Sequence, residues 1–116
     1  MHMLDWNVYR RQLTSEVAEF AKLSPDTVRG YGMLGAAGQK TAHLDAKTRE
    51  LIAIAVAISL RCDGCIAVHT EAARKLGATP EEIAEALGVA VSINAGAAIV
   101  YSTRALDAYA AATEAA

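Results

Sequence analysis

The chain has 116 residues, of which 53% are hydrophobic and 21% charged, and its formal net charge at pH 7 is −2. This length predicts one domain over residues 1–116. The small negative charge comes without a basic block, so neither nucleic acid nor an anionic membrane surface is an expected partner. Only one Trp, four Tyr and one Phe are present, and the abundant residue is alanine, the strongest helix former. An all-α fold is therefore expected.

The first residues carry charges where a signal peptide needs an apolar core, and the two residues before Met3 resemble a remnant of cloning. The longest apolar stretches are residues 51–60, too short to cross about 30 Å of hydrocarbon, and residues 89–101, which polar residues and a glycine interrupt. We therefore expect a cytoplasmic protein without membrane contact. In a reducing compartment, a close cysteine pair is more typical of a catalytic or metal site than of a structural disulfide.

The first predicted helix covers about residues 6–21, where apolar residues recur along one side. A second should begin with Ser24 as N-cap and Pro25 at the first helical position. It is expected to fade in the glycine-rich segment 30–40, which would form irregular turns or a mobile rim.

Asp45 can cap a third helix over about residues 46–60. A fourth is predicted to open at "CDGC" and to end at Gly77, which suits the position after a helix C-cap. If these two helices form an antiparallel hairpin, its turn lies near Arg61.

The sequence "TPEE" predicts a capping box of Thr79 with Glu82, with Pro80 in the first helical position. The fifth helix should run toward residue 93 and break at residues 94–96, and a sixth should cover about residues 98–112. The expected fold is therefore a domain of about six helices with a central antiparallel hairpin.

The candidate site lies in "RCDGCIAVHTE", residues 61–71, which holds both cysteines and a histidine. On a helix, Cys62, Cys65 and His69 share one face. Cys62 and Cys65 are three residues apart, so their Cα atoms would be about 5 Å from each other, which suits a disulfide. A helix start favours a thiolate, but by only about 0.3–1 kcal/mol, so stronger activation requires a base.

His69, one turn beyond Cys65, can serve as that base if an acceptor holds its other ring nitrogen. In an antiparallel hairpin, Glu50 would lie within about one helical turn, some 5.4 Å, of His69. A carboxylate in the apolar run "ELIAIAVAISL" also calls for a role. The predicted order is Glu50, His69, Cys65 and Cys62.

Two other interpretations of these four residues remain. Each residue taken alone could be part of a helical core, since cysteine is often a small buried hydrophobe. A zinc site could add Glu50 or His43 to two cysteines and a histidine, but structural zinc usually draws on two separated ligand pairs, which this sequence lacks. We expect no metal and no cofactor.

Residues 44–87 resemble the alkylhydroperoxidase AhpD-like core of the carboxymuconolactone decarboxylase superfamily. The shared pattern is E-x11-C-x2-C-x3-H, then a glycine turn and T-x-E-E, and the residues that meet it are Glu50, Cys62, Cys65, His69, Gly77 and Thr79 to Glu82. The resemblance implies an all-helical protein that assembles as a trimer or hexamer. It also implies a peroxidase, or a general disulfide reductase, that acts on a small-molecule peroxide.

The resemblance further implies a role for each site residue. Cys65 would attack the peroxide, Cys62 would resolve the product as a disulfide, and His69 with Glu50 would relay protons. A dithiol such as a lipoyl-protein, or a thioredoxin-like donor, would restore the thiols. The family often has an aromatic residue just before the second cysteine, whereas this chain has Gly64.

Two alternative functions belong to other classes. One is a metal-binding or purely structural oligomeric module, and the other is a lactone decarboxylase, although that branch typically lacks the cysteine pair. Residues 86–100 are apolar around most of a helix, and a six-helix domain of this length could not bury them fully. A homo-oligomer is therefore expected from the chain itself as well as from the resemblance.

Overall fold

The computed structural model describes residues 1–115, and within this range the chain forms five α-helices and no strand. The all-α prediction is confirmed, while the predicted number of helices is one too high. The helices are α1 (Trp6–Leu23), α2 (Pro25–Thr41), α3 (Ala46–Leu60), α4 (Asp63–Lys75) and α5 (Pro80–Ala115).

The predicted helix starts are found where the capping residues stand. Asp45 Oδ1 accepts the N–H of Thr48 at 2.7 Å at the start of α3. At the start of α5, Thr79 Oγ1 accepts the N–H of Glu82 at 3.1 Å, and Glu82 Oε1 accepts the N–H of Thr79 at 3.0 Å. These bonds satisfy backbone donors that the first helical turn leaves without partners, so local sequence determines where both helices begin.

Gly77 ends α4 in the predicted way. Its φ of +85° lies in the left-handed region, which glycine enters without a steric penalty. The N–H of Ala78 bonds to the carbonyl of Ala73 at 2.9 Å, and the N–H of Gly77 bonds to that of Arg74 at 3.0 Å. This pair of bonds is the Schellman motif, and it turns the chain directly into α5.

The expectation that α2 fades in the glycine-rich segment is wrong. The helix continues to Thr41 and ends at Ala42, whose φ is +53°. A glycine inside a helix costs about 1 kcal/mol relative to alanine but does not by itself break the hydrogen-bond ladder. The glycines here alternate with good helix formers, and the segment "GYGMLGAAGQK" therefore remains helical.

The predicted break at residues 94–96 is also wrong, because α5 runs through it as one helix of 36 residues. Asn94 stays helical while its side-chain amide donates to the carbonyl of Ala90 at 2.7 Å and to Ser59 Oγ at 2.8 Å. The amide thus finds partners on its own helix and on α3. Because these acceptors satisfy its side chain, Asn94 does not compete with the backbone hydrogen bonds of the helix.

Helix α3 contacts both α4 and α5, and α1 contacts α2 and α4. The buried apolar residues come from α3, α4 and α5, and they are Ile54, Ala57, Ala67, Ala73 and Ala90. Four of these five are alanines, so the helices approach closely around a narrow core. An ion pair of 2.7 Å between Lys47 and Glu82 further ties α3 to α5.

The chain is extended for its length. Its radius of gyration is 19.1 Å, against about 13 Å for a compact domain of this size. Its accessible surface is 9047 Å², against about 6,100 Å² for a compact monomer of this mass.

Helix α5 accounts for much of this surface. Ala90 is its one buried residue among those that the structure describes. Eight of its large apolar side chains are 61–73% exposed: Val89, Val91, Ile93, Ile99, Val100, Tyr101, Leu106 and Tyr109. By length and composition α5 could also cross a membrane, since one window has a mean hydropathy of 1.8. A single helix of this kind is weak support for a membrane span.

Candidate redox site

The candidate site lies at the turn of the α3–α4 hairpin. Only Arg61 and Cys62 separate the two helices, and Arg61 adopts a left-handed φ of +54°. The N–H of Cys62 bonds back to the carbonyl of Ala57 at 3.0 Å. This short connection makes α3 and α4 antiparallel neighbours, and it places the first cysteine directly at the start of α4.

Cys62 and Cys65 are joined in a disulfide, with their Cα atoms 5.3 Å apart. The predicted separation of about 5 Å is therefore found. The prediction that α4 opens at "CDGC" needs one correction, because Cys62 is the N-cap, with an extended backbone, and the helix begins at Asp63. Its Sγ accepts the N–H of Cys65 at 3.2 Å, so the sulfur still lies on the side of Cys65.

Glu50 and His69 are in direct contact across the hairpin. Glu50 Oε2 lies 2.6 Å from His69 Nδ1, as an antiparallel pairing of α3 with α4 predicts. Both side chains are partly exposed, 24% for Glu50 and 29% for His69. Their position leaves the pair within reach of solvent, where protons can be exchanged.

The Glu50 contact defines which histidine nitrogen is available for chemistry. An ionised carboxylate is an acceptor only, so it fixes the hydrogen of a neutral imidazole on Nδ1. The lone pair of His69 is then on Nε2, the nitrogen that can take a proton from a thiol. A base oriented in this way by a third group is the arrangement that activates cysteine nucleophiles.

The side-chain positions can be compared with those that a zinc site needs. Within residues 1–115, no three His, Cys, Asp or Glu side chains come together as ligands of one ion. Both sulfurs are engaged in the disulfide, whereas a zinc ligand must be a free thiolate. In this structure Cys62 and Cys65 are bonded to each other and are not free thiolates.

Helix α1 also contacts the site helix, which the sequence did not reveal. The Nε of Arg10 donates to the carbonyl of Ala67 at 2.9 Å and lies 2.7 Å from Glu71 Oε2. The hydrogen bond from Lys75, together with the charges of Arg10 and Arg74, holds the pKa of the Glu71 carboxyl below its ordinary value. These polar contacts attach α1 to α4 within one helical turn of His69.

A second α1 contact reaches the cysteine motif itself. A Cβ atom added at Gly64 would lie 3.0 Å from Cδ2 of Leu13, so the leucine methyl fills the space of the missing side chain. The only sequence signal for this contact was the glycine between the two cysteines. Nothing in the local sequence indicated that its partner lies some fifty residues earlier.

The chain is similar in sequence to known proteins. The carboxymuconolactone decarboxylase family model matches residues 25–108. An uncharacterized protein of Haemophilus influenzae is 47% identical over 90% of this chain and 93% of its own length. The uncharacterized protein 4 in the cox locus of Paracoccus denitrificans is 48% identical over 54% of this chain and 57% of its own.

The fold has a solved counterpart as well. The crystal structure of a carboxymuconolactone decarboxylase family protein from Legionella pneumophila, in its apo form, superposes with a TM-score of 0.71. That protein is 38% identical to this chain, and the match covers 88% of this chain and 91% of the other.

Proposed function

The chain belongs to the carboxymuconolactone decarboxylase family, and on this premise we propose that it is a thiol-dependent peroxidase and disulfide reductase. Cys62 and Cys65 form the redox pair, and Glu50 and His69 form the proton relay. Members of the family are generally soluble, and we propose a cytoplasmic location.

In the proposed reaction, His69 Nε2 removes the proton of the Cys65 thiol. The Cys65 thiolate attacks one peroxide oxygen and breaks the O–O bond, so that Cys65 becomes a sulfenic acid. The departing alkoxide or hydroxide takes the proton from His69. The Cys62 thiol then loses its proton and attacks the sulfur of Cys65; hydroxide leaves, takes up that proton as water, and the disulfide forms.

Two electrons must then return to the protein. A dithiol donor attacks the disulfide through one thiolate, forms a mixed disulfide, and closes its own disulfide with its second thiol. Both protein thiols are thereby restored, and the donor leaves oxidised. We propose a lipoyl-protein or a thioredoxin-like protein as this donor.

The observation that carries this proposal is the position of the Glu50–His69 contact relative to the cysteines. The 2.6 Å contact and the Cys62–Cys65 bridge lie within the same two turns of α4. A core cysteine pair would have no need of a carboxylate-bound histidine on the same helix. The base, its orienting carboxylate and a closable thiol pair together match the requirements of thiol-based reduction.

Thiol titration tests the proposal directly. The reduced protein should lose two thiols per chain on treatment with hydrogen peroxide or an organic hydroperoxide, and the bridge should form within one chain. Cys65→Ser should consume no peroxide, whereas Cys62→Ser should stop at a sulfenic acid that a dimedone-type reagent can trap. Sulfenic acid trapped in Cys65→Ser, and not in Cys62→Ser, would reverse the two roles.

A metal measurement separates this function from the binding-module alternative. We expect well under one zinc per chain in protein purified without chelator. Stoichiometric zinc that disappears in Cys65→Ser would replace the redox proposal with a metal-binding module.

We also propose that the protein acts as a homo-oligomer, a trimer or a hexamer. The chain exposes about half again the surface of a compact monomer, and contiguous apolar surface of this kind usually marks an interface. Closed rotational symmetry is the usual outcome when identical chains cover one another. Copies of the same chain are therefore the proposed cover of α5, rather than a lipid bilayer.

A further inference from the structure

Gly64 is the second residue of α4 and the one residue of the proposed redox motif without a side chain. It lies between Cys62 and Cys65 in the sequence "CDGC", and glycine has more backbone freedom than any other residue. In the reduced protein, when no bond joins the sulfurs, their separation depends on the backbone at positions 63 and 64. How firmly the first turn of α4 is held at Gly64 therefore affects how closely the thiols remain together.

The motif is held from α3 on one side. The N–H of Cys62 bonds to the carbonyl of Ala57 at 3.0 Å, and the carbonyl of Cys62 accepts the N–H of Ile66 at 2.9 Å. These bonds fix the residue before the helix. The second bond also closes the first turn of α4 around Gly64, which has no side chain of its own to pack.

On the other side, α1 supplies the missing contact. The Cδ2 atom of Leu13 lies 3.0 Å from the place where a Cβ of Gly64 would stand, and Cδ1 lies 3.7 Å from it. Leu13 is half-buried. One turn earlier, Arg10 bonds to Ala67 and Glu71 of α4. These bonds hold α1 against α4, and they therefore fix the position of Leu13 next to Gly64.

We propose that Leu13 is a positioning residue that holds the dithiol of the reduced protein ready to close. The proposal rests on the proposed redox function of Cys62 and Cys65. Leu13 acts through Gly64: its methyl groups restrict the glycine backbone and keep the two sulfurs near disulfide distance. Helix α1 precedes the span that the family model matches, residues 25–108, so the restraint comes from outside that span.

The consequence is a shift in the thiol–disulfide equilibrium. A dithiol held together loses little freedom when it closes, which favours the disulfide and makes the protein harder to reduce. Leu13→Ala removes the restraint and should move the equilibrium with a glutathione buffer toward the dithiol by about three- to tenfold. For a two-electron couple, tenfold corresponds to about 30 mV, in the direction of easier reduction.

The matched control is Leu23→Ala, the same substitution at the end of α1, where the side chain is 87% exposed. It should leave the equilibrium unchanged. Leu13→Met keeps nearly the same volume at the contact and should stay close to the parent protein. Leu13→Val gives an intermediate shift, and it replaces Leu13→Ala if that variant does not fold.

A double variant tests the coupling to Gly64. Alanine at position 64 restricts the backbone by itself, but in the parent its Cβ would press on Leu13. Gly64→Ala alone should therefore change the dithiol–disulfide equilibrium constant measured against glutathione. In combination with Leu13→Ala it should bring the equilibrium back toward the parent value.

The measurement is the fraction of dithiol in a series of glutathione buffers, read by thiol alkylation and mass spectrometry, together with the melting temperature. A Leu13→Ala variant with a lowered melting temperature and an unchanged equilibrium constant overturns the inference, since Leu13 then only packs. Effects that simply add in the double variant overturn the coupling to Gly64. A parent protein that equilibrates reversibly but never reduces a peroxide would sink the peroxidase proposal alone.

Discussion

The α3–α4 hairpin and helix α5 differ in how far one chain completes them. In the hairpin, the caps are satisfied, Ile54 is 2% exposed, and Glu50 already meets His69. In α5, eight large apolar side chains are 61–73% exposed. One chain thus builds the proposed chemistry on its own, but it leaves its longest helix to be covered by something else.

The strongest way to break this comparison is to place a charge on the exposed face of α5. Ile99→Glu should leave the folding of a free chain nearly unchanged, because surface substitutions usually change stability by less than about 0.5 kcal/mol. In an oligomer the same carboxylate would be buried without a partner, at a cost of several kcal/mol. Light scattering coupled to gel filtration should show an assembly for the parent and a 12.2 kDa monomer for the variant.

The conservative change Ile99→Val serves as the control and should retain the assembly. A parent chain that already elutes as a monomer at micromolar concentration would remove the oligomer proposal. Parent protein that instead partitions into lipid vesicles would make the bilayer the cover of α5.

Truncating one isoleucine in each region sharpens the comparison. Ile54→Ala empties a buried site in α3 and should lower the free energy of unfolding by about 2–5 kcal/mol at any protein concentration. Ile93→Ala, at a position 67% exposed in the single chain, should cost stability only where the chain is assembled. Chemical denaturation at two protein concentrations measures both effects. Equal losses at both concentrations for Ile93→Ala would contradict an interface at α5.

A third prediction concerns the chemistry of the hairpin alone. Glu50→Gln keeps the size of the side chain but removes the charge that orients His69, and it should slow peroxide-driven loss of thiols about tenfold near neutral pH. Above the pKa of the attacking cysteine, the thiolate forms without a base, so the difference should shrink. Stopped-flow rates across pH make the test, and parallel pH profiles for variant and parent would leave Glu50 a packing residue.

The smallest expected effect lies at the ion pair that joins the two regions. The hydrogen bond from Lys47, then that from the Thr79 N–H, holds the pKa of Glu82 below its ordinary value of 4.5. The stabilisation is therefore fully present above pH 4.5 and is lost as the pH falls through the lowered pKa. Glu82→Gln should flatten this part of the stability profile in acid denaturation.

Glu81→Gln is the matched control for that experiment. It removes a carboxylate charge from the adjacent position but leaves the Lys47–Glu82 pair in place. The variant should keep the acid dependence of the parent. If both variants lose it equally, general charge and not the ion pair explains the effect.

Local chemistry made the hairpin predictable and left α5 harder to interpret. Asp45 as a cap, Gly77 after α4 and the Thr79–Glu82 box each act within a few residues, so the sequence alone was sufficient. The contact of Glu50 with His69 followed from the antiparallel geometry that a short turn enforces. Each of these features is determined by neighbours in the chain or by one turn.

The two wrong predictions of helix ends, in α2 and at residues 94–96, have a common physical origin. The glycines of α2 and the residues 94–96 were interpreted by intrinsic propensity, which is a weak preference that context overrides. At Asn94 the context is the hydroxyl of Ser59 on α3. The contact of Leu13 with Gly64 is of the same kind, because it joins distant parts of the chain that no local pattern connects.

The N-cap of α4 has one more consequence. The acceptor for the Cys65 N–H is a sulfur, the Sγ of Cys62, where most helices use oxygen. A thiolate is a stronger hydrogen-bond acceptor than a disulfide sulfur because it is charged. Its negative charge is also stabilised by the positive end of the helix dipole at the start of α4. The chemical shift of the Cys65 amide in a nitrogen–proton correlation spectrum should therefore differ between the dithiol and the disulfide form of the protein. It would report the redox state of the cysteine pair without an attached probe.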